Sequence, residues 1–309
     1  MRAIRIHQYG GTETLQLNQI DTPKINTDDI LIKVKSSSIN PVDWKIREGY
    51  LKDFIPYQMP VTLGFDVSGV VSEVGSEVTD FKVGDEVFSR PDISRDGAYA
   101  DYIAVKADEV AFKSPKLSFE QAAALPLAGI TAWQCLVDVG QLQAGQRVLI
   151  HAGAGGVGHL AIQIAKAKGA TVIATASTAN QELLTQFGAD QAVDYTKGSL
   201  LEQIEPVDLV IDTIGGEVQS NSWALLKAGG MLVSIVDQPS EELAKQHNAK
   251  AAFVFIESSS RILRELNKLV EKDQLLPFIE HRFSLEQIAD AHLQSQTGRT
   301  RGKIIIKVS

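Results

Sequence analysis

Residues 151–158 read His151-Ala152-Gly153-Ala154-Gly155-Gly156-Val157-Gly158, and the rest of the chain is organised around them. They follow a run of apolar residues, and they precede side chains with helical spacing, namely Val157, Leu160, Ala161, Ile164 and Ala165. Glycine adopts the backbone conformations of tight turns and lets other groups approach the main chain closely. The sequence therefore predicts a strand, a glycine-rich turn and a helix in direct succession.

This succession of elements is typical of dinucleotide-binding sites. The free N–H groups at the start of the helix, together with its dipole, favour the binding of a pyrophosphate. We predict that Gly153, Gly155, Gly156 and Val157 line such a site, with the N–H groups of the last three as donors. Gly158 then allows the helix to pack closely on the sheet. The alternative is a tight turn that binds no ligand.

The end of the next predicted strand, Thr175-Ala176-Ser177-Thr178-Ala179-Asn180, indicates which nucleotide is bound. In such sites an acidic residue about twenty positions after the glycines binds the ribose 2′-hydroxyl. Here no carboxylate precedes Glu182, which lies inside the next predicted helix. A carboxylate would repel a 2′-phosphate, so its absence favours NADPH, with the hydroxyls of Ser177 and Thr178 as candidate partners. The alternative for Thr178 is a helix cap that pairs with Gln181.

Composition narrows the class of protein. The chain has 309 residues, 44% of them hydrophobic, and a formal net charge of −8. Without a long basic run, nucleic acid is not an expected partner. No run of about 18 apolar residues is present, so we expect no membrane span. The N-terminus has the pattern of a strand rather than of a secretory signal, so we expect a cytoplasmic protein. Cys135 is the single cysteine, which excludes an intramolecular disulfide, and we expect it to be buried.

The pattern of the chain changes near residue 118. Before it, short alternating or β-branched runs are separated by Gly, Pro and Asp, which predicts a β-rich, barrel-like domain. Ser118 and Gln121 fit a capping box that begins a helix. Beyond them, apolar runs alternate with helical patterns, the last of these runs being residues 253–256, and this predicts a doubly wound parallel sheet. A helix with an apolar face and a final strand follow.

The chain resembles the medium-chain dehydrogenases/reductases, specifically their quinone oxidoreductase branch. The resemblance lies in residues 40–49, 63–69, 125–133, 145–166, 208–216, 229–234 and 300–303, and so it covers essentially the whole chain. It implies an α/β fold in which residues 123–256 form the NADP-binding Rossmann domain. A β-rich GroES-like barrel domain, the catalytic domain, is then formed by residues 1–122 and by the returning segment 257–309.

The departures from the zinc-dependent relatives point to the reaction. Those relatives carry a cysteine ligand near residues 41–43 and a histidine–glutamate pair near Phe65 and Asp66, and this chain has neither that cysteine nor that histidine. A zinc ion polarises the substrate oxygen. Without it, the acceptor must delocalise the charge that hydride addition creates. The resemblance therefore implies zinc-free, NADPH-dependent reduction of a small quinone or α,β-unsaturated carbonyl compound.

Matching positions also imply roles for individual residues. Thr131 and Asn40 correspond to positions near the nicotinamide, although Asn40 also fits a turn before a proline. Tyr195 would join Ser177 and Thr178 around the 2′-phosphate. Ser234, Phe253 and Phe255 would flank the nicotinamide, and Lys303 would reach a cofactor phosphate or else be a solvated charge.

The proton and the substrate side are less constrained by the sequence. Lys45 or Tyr50 would donate a hydrogen bond to the substrate oxygen, as catalytic candidates beside Asn40, and solvent would supply the proton. Two other functions stay open: a 2-enoyl thioester reductase, and an NADPH-binding sensor or structural protein without catalysis. The apolar run at residues 253–256 suggests an exposed sheet edge and hence a homodimer.

Overall fold

Two units make up the chain, and the computed structural model describes all 309 residues. The β-rich unit comprises Met1–Ala128, Glu257–Glu271 and Pro277–Ser309, and the parallel-sheet unit comprises Gly129–Ile256 and Lys272–Leu276. Residues 123–128 and 272–276 therefore belong to the other unit from the one that the sequence analysis assigns. None of the helices has the length and apolar character needed to cross a bilayer.

Antiparallel pairing dominates the β-rich unit. Its strands are β1 (Arg2–Ile6), β2 (Gln16–Gln19), β3 (Asp29–Ile39), β4 (Val61–Thr62), β5 (Val67–Val74), β6 (Glu86–Ser89), β7 (Tyr102–Lys106), β8 (Val110–Phe112), β15 (Ile279–Ser284) and β16 (Lys303–Lys307). Its helices are α1 (Pro41–Arg47), α2 (Phe119–Ala123), α9 (Ser260–Glu271) and α10 (Ile288–Gln296). The larger sheet has the order β15-β16-β3-β5-β6-β8, with β7 also on β3, and a three-stranded sheet has the order β2-β1-β4.

The last strand of the chain pairs with the first part of the chain. β16 runs antiparallel to β3, with Ile304 opposite Ile39. This register brings Lys303, the first residue of β16, to the end of β3, where Asn40 begins α1. Residues far apart in the sequence are therefore neighbours because of one strand pairing.

The parallel-sheet unit contains the glycine-rich turn. Its strands are β9 (Arg147–Ile150), β10 (Thr171–Ala176), β11 (Gln191–Asp194), β12 (Val207–Asp212), β13 (Leu226–Ser234) and β14 (Lys250–Phe253). Its helices are α4 (Gly158–Ala167), α5 (Gln181–Gln186), α6 (Leu200–Gln203), α7 (Gly216–Ser222) and α8 (Glu241–Gln246), while α3 (Pro126–Trp133) begins in the β-rich unit and continues into Gln134–Val139, a π-helix.

The strand order β11-β10-β9-β12-β13-β14 is that of a Rossmann fold. All these strands pair in parallel, as the sequence predicts. The order reverses between β9 and β12, and in open α/β sheets ligands bind at the carboxyl ends of the strands beside such a reversal. The turn at residues 151–157 leaves β9 at that point.

Close packing explains the small residues of the turn and of α4. Leu160, Ala161, Ile164 and Ala165 are fully buried, which confirms the helical spacing in the sequence. Gly158 begins α4 directly against the turn, and a Cβ there would lie 2.2 Å from the carbonyl oxygen of Ala152. The helix can approach the turn this closely because residue 158 has no side chain.

Two local predictions differ in outcome. Ser118 and Gln121 form the capping box at the start of α2, which confirms that prediction. The strand predicted at residues 253–256 has the wrong bounds, because β14 begins at Lys250 and ends at Phe253. The apolar run misled the prediction, since the strand itself, Lys250-Ala251-Ala252-Phe253, is only partly apolar and lies at the sheet edge.

Substitution of Gly158 by alanine should destabilise the protein. The new Cβ would lie 2.2 Å from the Ala152 oxygen and 2.7 Å from the Gly153 Cα, and backbone atoms cannot move aside cheaply. Overpacking of this kind costs about 1–3 kcal/mol, measurable as a lower free energy of unfolding in urea. Gly155→Ala is the matched control, because its Cβ meets a single atom at 3.2 Å. Equal losses in the two variants would contradict this account of the turn.

Candidate active site

The predicted nucleotide contacts gather at one edge of the parallel sheet. His151, Ser177 and Tyr195 directly follow β9, β10 and β11, while Ser234 and Phe253 are the last residues of β13 and β14. Parallel strands end at the same edge, so the fold brings these positions together even though the sequence separates them. Phe253 is 38% exposed and Phe255 is 57% exposed. Thr131 lies on α3 and is buried.

The turn after β9 leaves two of the predicted backbone donors free. The N–H of Gly153 donates to the carbonyl of Thr175 at 2.9 Å, and the N–H of Gly155 donates to the carbonyl of Ala152 at 2.9 Å. Gly155 is therefore not available as a pyrophosphate donor, contrary to the sequence prediction. No backbone acceptor is found for the N–H groups of Gly156 and Val157, which are the two remaining donors of the predicted set.

His151 holds the start of this turn in place through hydrogen bonds of its neutral ring. Its Nδ1 lies 3.2 Å from Thr175 Oγ1 and its Nε2 lies 2.8 Å from Ser222 Oγ. Burial lowers the pKa of the imidazole to about 4, so the ring is neutral near pH 7. It links the ends of β9 and β10 to α7.

A carboxylate lies beside the predicted 2′-phosphate residues. Thr178 Oγ1 donates to Asp194 Oδ2 at 2.5 Å, and the hydroxyl and N–H of Thr196 donate to Asp194 Oδ1 at 2.7 and 3.0 Å. These bonds, that of Thr178 first, lower the pKa of Asp194 to about 2. The loop after β10 has no carboxylate of its own, as the sequence analysis states, but Asp194 brings one beside Thr178 from the neighbouring strand β11. Thr178 also does not cap α5, which begins at Gln181 after Asn180.

The same neighbourhood contains a cation that the sequence analysis missed. Lys197 Nζ lies 3.5 Å from Asp194 Oδ2, and the lysine side chain is 65% exposed. Tyr195, two residues earlier, is 55% exposed. The sequence prediction considers only the turn after β10, whereas Lys197 follows β11. A strand order predicted from the fold class would have pointed to it, because β10 and β11 are adjacent.

In the β-rich unit, three polar side chains form a cluster closed off from solvent. Asn40, Asp66 and Lys303 are 2%, 0% and 3% exposed. Lys303 Nζ lies 2.6 Å from Asn40 Oδ1 and 3.2 Å from Asp66 Oδ2, and it also donates to the carbonyl of Ile39 at 3.3 Å. Asn40 Nδ2 donates to Asp66 Oδ2 at 2.8 Å. Each member thus fixes the orientation of the other two.

This cluster corrects the role predicted for Lys303. An ammonium has three N–H groups, and all three are used within the cluster, so none is left for a cofactor phosphate. The side chain is also buried and is therefore not a solvated charge. Asn40 keeps one N–H of its amide, because Nδ2 carries two and donates one to Asp66.

The cluster does not fit a metal ion. The Lys303 ammonium already faces the Asp66 carboxylate, so a cation added there would be repelled. Where zinc-dependent relatives carry a cysteine and a histidine, this chain has residues 41–43 and Phe65, and neither a cysteine nor a histidine is among them. No three His, Cys, Asp or Glu side chains anywhere in the chain lie close enough to hold a metal.

A second buried carboxylate adjoins the cluster at the start of α1. Asp43 Oδ2 accepts from the N–H of Asn40 at 2.6 Å and from Tyr99 Oη at 2.9 Å. Asp43 is fully buried, and this burial, together with the nearby Asp66, raises the pKa of Asp43 to about 7. The Asp43 bond holds the backbone at Asn40, and so it holds the position from which the Asn40 side chain extends.

Of the other two substrate-side candidates, Tyr50 is exposed and Lys45 is half-buried. Tyr50 is 64% exposed and packs edge-on against Trp44, with ring centroids 6.2 Å apart. Lys45 Nζ lies 5.8 Å from the centroid of the same indole. The structure brings Lys45 and Tyr50 together through Trp44, and it places Asn40 apart from them inside the unit. A donor role for Lys45 or Tyr50 stays a prediction.

Stability should depend on pH through Asp43. Its pKa is raised from 3.8 to about 7 on folding, so the folded state binds the proton more tightly than the unfolded state between these values. Linkage then makes the free energy of unfolding fall as the pH rises from about 4 to about 7, and level off above that. Asp43→Asn removes this contribution. The free energy of unfolding of the variant relative to that of the wild type, measured by urea denaturation, should therefore rise across that pH window. A difference that is constant with pH would contradict the assignment.

Comparison with known proteins places the chain in a family. The model described as "Alcohol dehydrogenase GroES-like domain" matches residues 26–116, and the one described as "Zinc-binding dehydrogenase" matches residues 187–306. The second description names a metal, and no group of three His, Cys, Asp or Glu side chains that could hold one is present. The first range lies within the β-rich unit, and the second covers part of the parallel-sheet unit and most of the returning segment.

Full-length relatives narrow the family further. The chain is 37% identical to 2-methylene-furan-3-one reductase of Solanum lycopersicum, over 99% of this chain and 79% of that protein. It is 36% identical to the chloroplastic NADPH-dependent alkenal/one oxidoreductase of Arabidopsis thaliana, over 99% and 79%. The solved quinone oxidoreductase of Coxiella burnetii superposes with a TM-score of 0.93 at 40% identity, over 100% of this chain and 99% of that one. The chain therefore belongs to the medium-chain dehydrogenase/reductase superfamily, in its quinone oxidoreductase branch.

Proposed function

We propose that the protein transfers hydride from NADPH to quinones or α,β-unsaturated carbonyl compounds. The observation that carries the proposal is the pair of free N–H groups on Gly156 and Val157, at the strand-order reversal of a Rossmann sheet. They suit a pyrophosphate at the start of α4. The names of the relatives, an NADPH-dependent alkenal/one oxidoreductase and a quinone oxidoreductase, support the nucleotide and the class of acceptor.

The chain holds the nucleotide and orients the acceptor. When bound, NADPH supplies the hydride. Gly156 and Val157 donate to its pyrophosphate, and the absence of a side chain at Gly158 keeps the turn in place. On the acceptor side, Asn40 presents its remaining amide N–H. Its orientation is fixed because Oδ1 accepts from Lys303 and Nδ2 donates to Asp66. Positioning of the two reactants supplies much of the rate acceleration in reactions of this kind.

The reaction proceeds without a metal in this proposal. Hydride addition to a conjugated carbonyl places negative charge on oxygen, where hydrogen bonds stabilise it. An isolated alcohol or ketone lacks this delocalisation and depends more on a Lewis acid. Residues 41–43 and Phe65, at the positions of the cysteine and histidine ligands of the zinc-dependent relatives, include neither residue type, and this favours conjugated acceptors.

Lys197 supplies the positive charge for the 2′-phosphate in this proposal. It lies on the same edge as Ser177 and Thr178, and its charge offsets that of Asp194. Thr178 and Thr196 hydrogen-bond to the Asp194 carboxylate, while Lys197 and Tyr195 are exposed. The lysine then discriminates NADPH from NADH.

We also propose an oligomeric state and a cellular location for the protein. β14 is the last strand of its sheet, so one of its edges has no partner strand within the chain. An open edge pairs readily with another chain, which supports a homodimer that sedimentation velocity would reveal; a purely monomeric boundary would remove it. The proposed site in the cytoplasm rests on the sequence alone, and microscopy of a tagged chain would test it.

Purified protein should oxidise NADPH in the presence of 1,4-naphthoquinone or 3-penten-2-one, followed at the absorbance of the reduced nicotinamide. A saturated ketone, 2-pentanone, should give no turnover, because hydride addition to it has no conjugation to relieve the charge. Addition of a chelator should leave the rate unchanged. Tight NADPH binding without turnover on either conjugated acceptor would overturn the proposal and favour a nucleotide-binding sensor, and turnover confined to 2-enoyl thioesters would favour a thioester reductase.

Replacement of Lys197 by alanine should raise the KM for NADPH roughly fivefold, which corresponds to about 1 kcal/mol for an exposed ionic contact. The KM for NADH should stay the same, because NADH has no 2′-phosphate. Lys227→Ala is the matched control: Lys227 is also a half-exposed lysine paired with an aspartate, but it lies near the start of β13, at the opposite edge of the sheet. Equal changes for the two nucleotides would show that Lys197 does not read the phosphate.

A further inference from the structure

Two arginine side chains are buried in the β-rich unit, and they differ in how their donors are used. Arg47 is 1% exposed and Arg90 is 4% exposed. The guanidinium of Arg47 bonds at every nitrogen: Nε to the carbonyl of Gly10, Nη1 to His292, and Nη2 to Glu48 and Gln296. This saturation is expected of a buried guanidinium whose role is structural.

Arg90 lacks such partners. Its guanidinium makes one hydrogen bond, from Nη1 to Ser258 Oγ at 3.0 Å, and Nε is buried without any acceptor. No carboxylate lies within ion-pair distance of it, whereas Arg95, five residues later, binds Asp29 through both terminal nitrogens. A buried charge without a partner is costly. Nε is closed off from solvent, whereas Nη2 makes no hydrogen bond and is not fully buried, so Nη2 is the donor available to a group that is not part of the chain.

The backbone and neighbours of Arg90 hold it firmly. It follows the last residue of β6, and Ser258 Oγ donates to its carbonyl at 2.8 Å while accepting from its Nη1. Burial lowers the pKa of its guanidinium, although the charge of Asp66 opposes this effect. Asp66 is the carboxylate that binds Asn40 and Lys303. Arg90 therefore lies within electrostatic range of the cluster described above.

We propose that Arg90 binds the oxygen of the conjugated acceptor, on which negative charge develops as hydride arrives. The proposal rests on the function proposed above and names the residue that holds the acceptor. A guanidinium suits an oxyanion because its planar N–H groups donate in parallel to one or two oxygen lone pairs. Lys303 cannot take this role, since its three donors are already bonded.

The electrons and protons of the step balance without a further reactant. NADPH loses a hydride and becomes NADP⁺. With an enone, the hydride bonds to the β-carbon, the electron pair of the C=C bond moves to form the enolate, and water later protonates the α-carbon. With a quinone, hydride transfer gives the quinol monoanion, which takes its second proton from water. Arg90 keeps its own protons throughout and donates hydrogen bonds to the oxygen.

Kinetics of Arg90→Met and Arg90→Lys test this role. Removal of an oxyanion donor typically lowers kcat by about 10²- to 10³-fold, so Arg90→Met should lose that much with 1,4-naphthoquinone and with 3-penten-2-one, while its Kd for NADPH stays the same. Arg90→Lys keeps a cation and should lose less. Lys106→Met is the matched control, because it removes one positive charge from an exposed position whose charge also acts on Asp92 and Glu109. Thermal melts establish that each variant is folded.

A binding probe tests the site independently of turnover. 4-Nitrophenol resembles the quinol monoanion when ionised, and its yellow absorbance reports the ionised fraction. Bound to the NADP⁺-loaded wild type, it should ionise at a lower pH than it does free in solution. Arg90→Met should abolish that shift and bind the phenolate about tenfold more weakly or worse, as expected for the loss of a charge-assisted hydrogen bond, and Lys106→Met should behave like wild type.

The outcomes separate the two proposals. A folded Arg90→Met that reduces both acceptors at the wild-type rate overturns the assignment of Arg90 and leaves the proposed function intact. A wild type that reduces neither acceptor but binds the phenolate through Arg90 overturns the proposed function and supports the anion site. If Arg90→Met does not fold, Arg90→Lys decides: an unchanged rate and an unchanged probe titration with this shorter, differently shaped cation would overturn the assignment.

Discussion

The pairing of β16 with β3 is the constraint on which the β-rich unit depends. It puts the Lys303 ammonium beside Asp66 and Asn40, in a place that water does not reach. Breaking such a pair by removing one partner typically costs about 3–5 kcal/mol, because the other charge is left buried alone. The C-terminal strand is therefore tied to the first part of the chain by charge as well as by backbone hydrogen bonds, and the cluster stays in one geometry.

The local features could be predicted from the sequence because short-range physics determines them. The glycines at 153–158, the apolar spacing of α4 and the capping box at Ser118 each act within a few residues, and the structure has all of them. The resemblance added the GroES-like domain and the return of residues 257–309 to it. What local patterns did not reveal is which hydrogen bonds each group had already used. Gly155 illustrates this, since its N–H is taken by Ala152, three residues earlier.

The errors concern groups that long-range pairing brings together. Asp194 and Lys197 reach Thr178 only because β11 pairs with β10. The resemblance implies that Lys303 reaches a cofactor phosphate, with a solvated charge as the alternative, whereas its neighbours in space are Asn40 and Asp66. In both cases the partners of the side chain lie far from it in the sequence, so a local pattern does not reveal them. A predicted strand order can supply such partners before a structure is known.

In the proposed reaction, two of the three buried cations of the β-rich unit, Lys303 and Arg90, take the two parts that the metal ion plays in the zinc-dependent relatives. A divalent ion in the zinc-dependent relatives both organises its ligands and polarises the substrate oxygen. In this chain the organising part belongs to Lys303, whose donors are all satisfied by Ile39, Asn40 and Asp66, and which therefore has none left to respond to a substrate. The polarising part requires a cation with donors to spare, and Arg90 has them. A guanidinium is a weaker Lewis-acid substitute than zinc because it acts only through hydrogen bonds. That weakness restricts the chemistry to acceptors that already delocalise their charge.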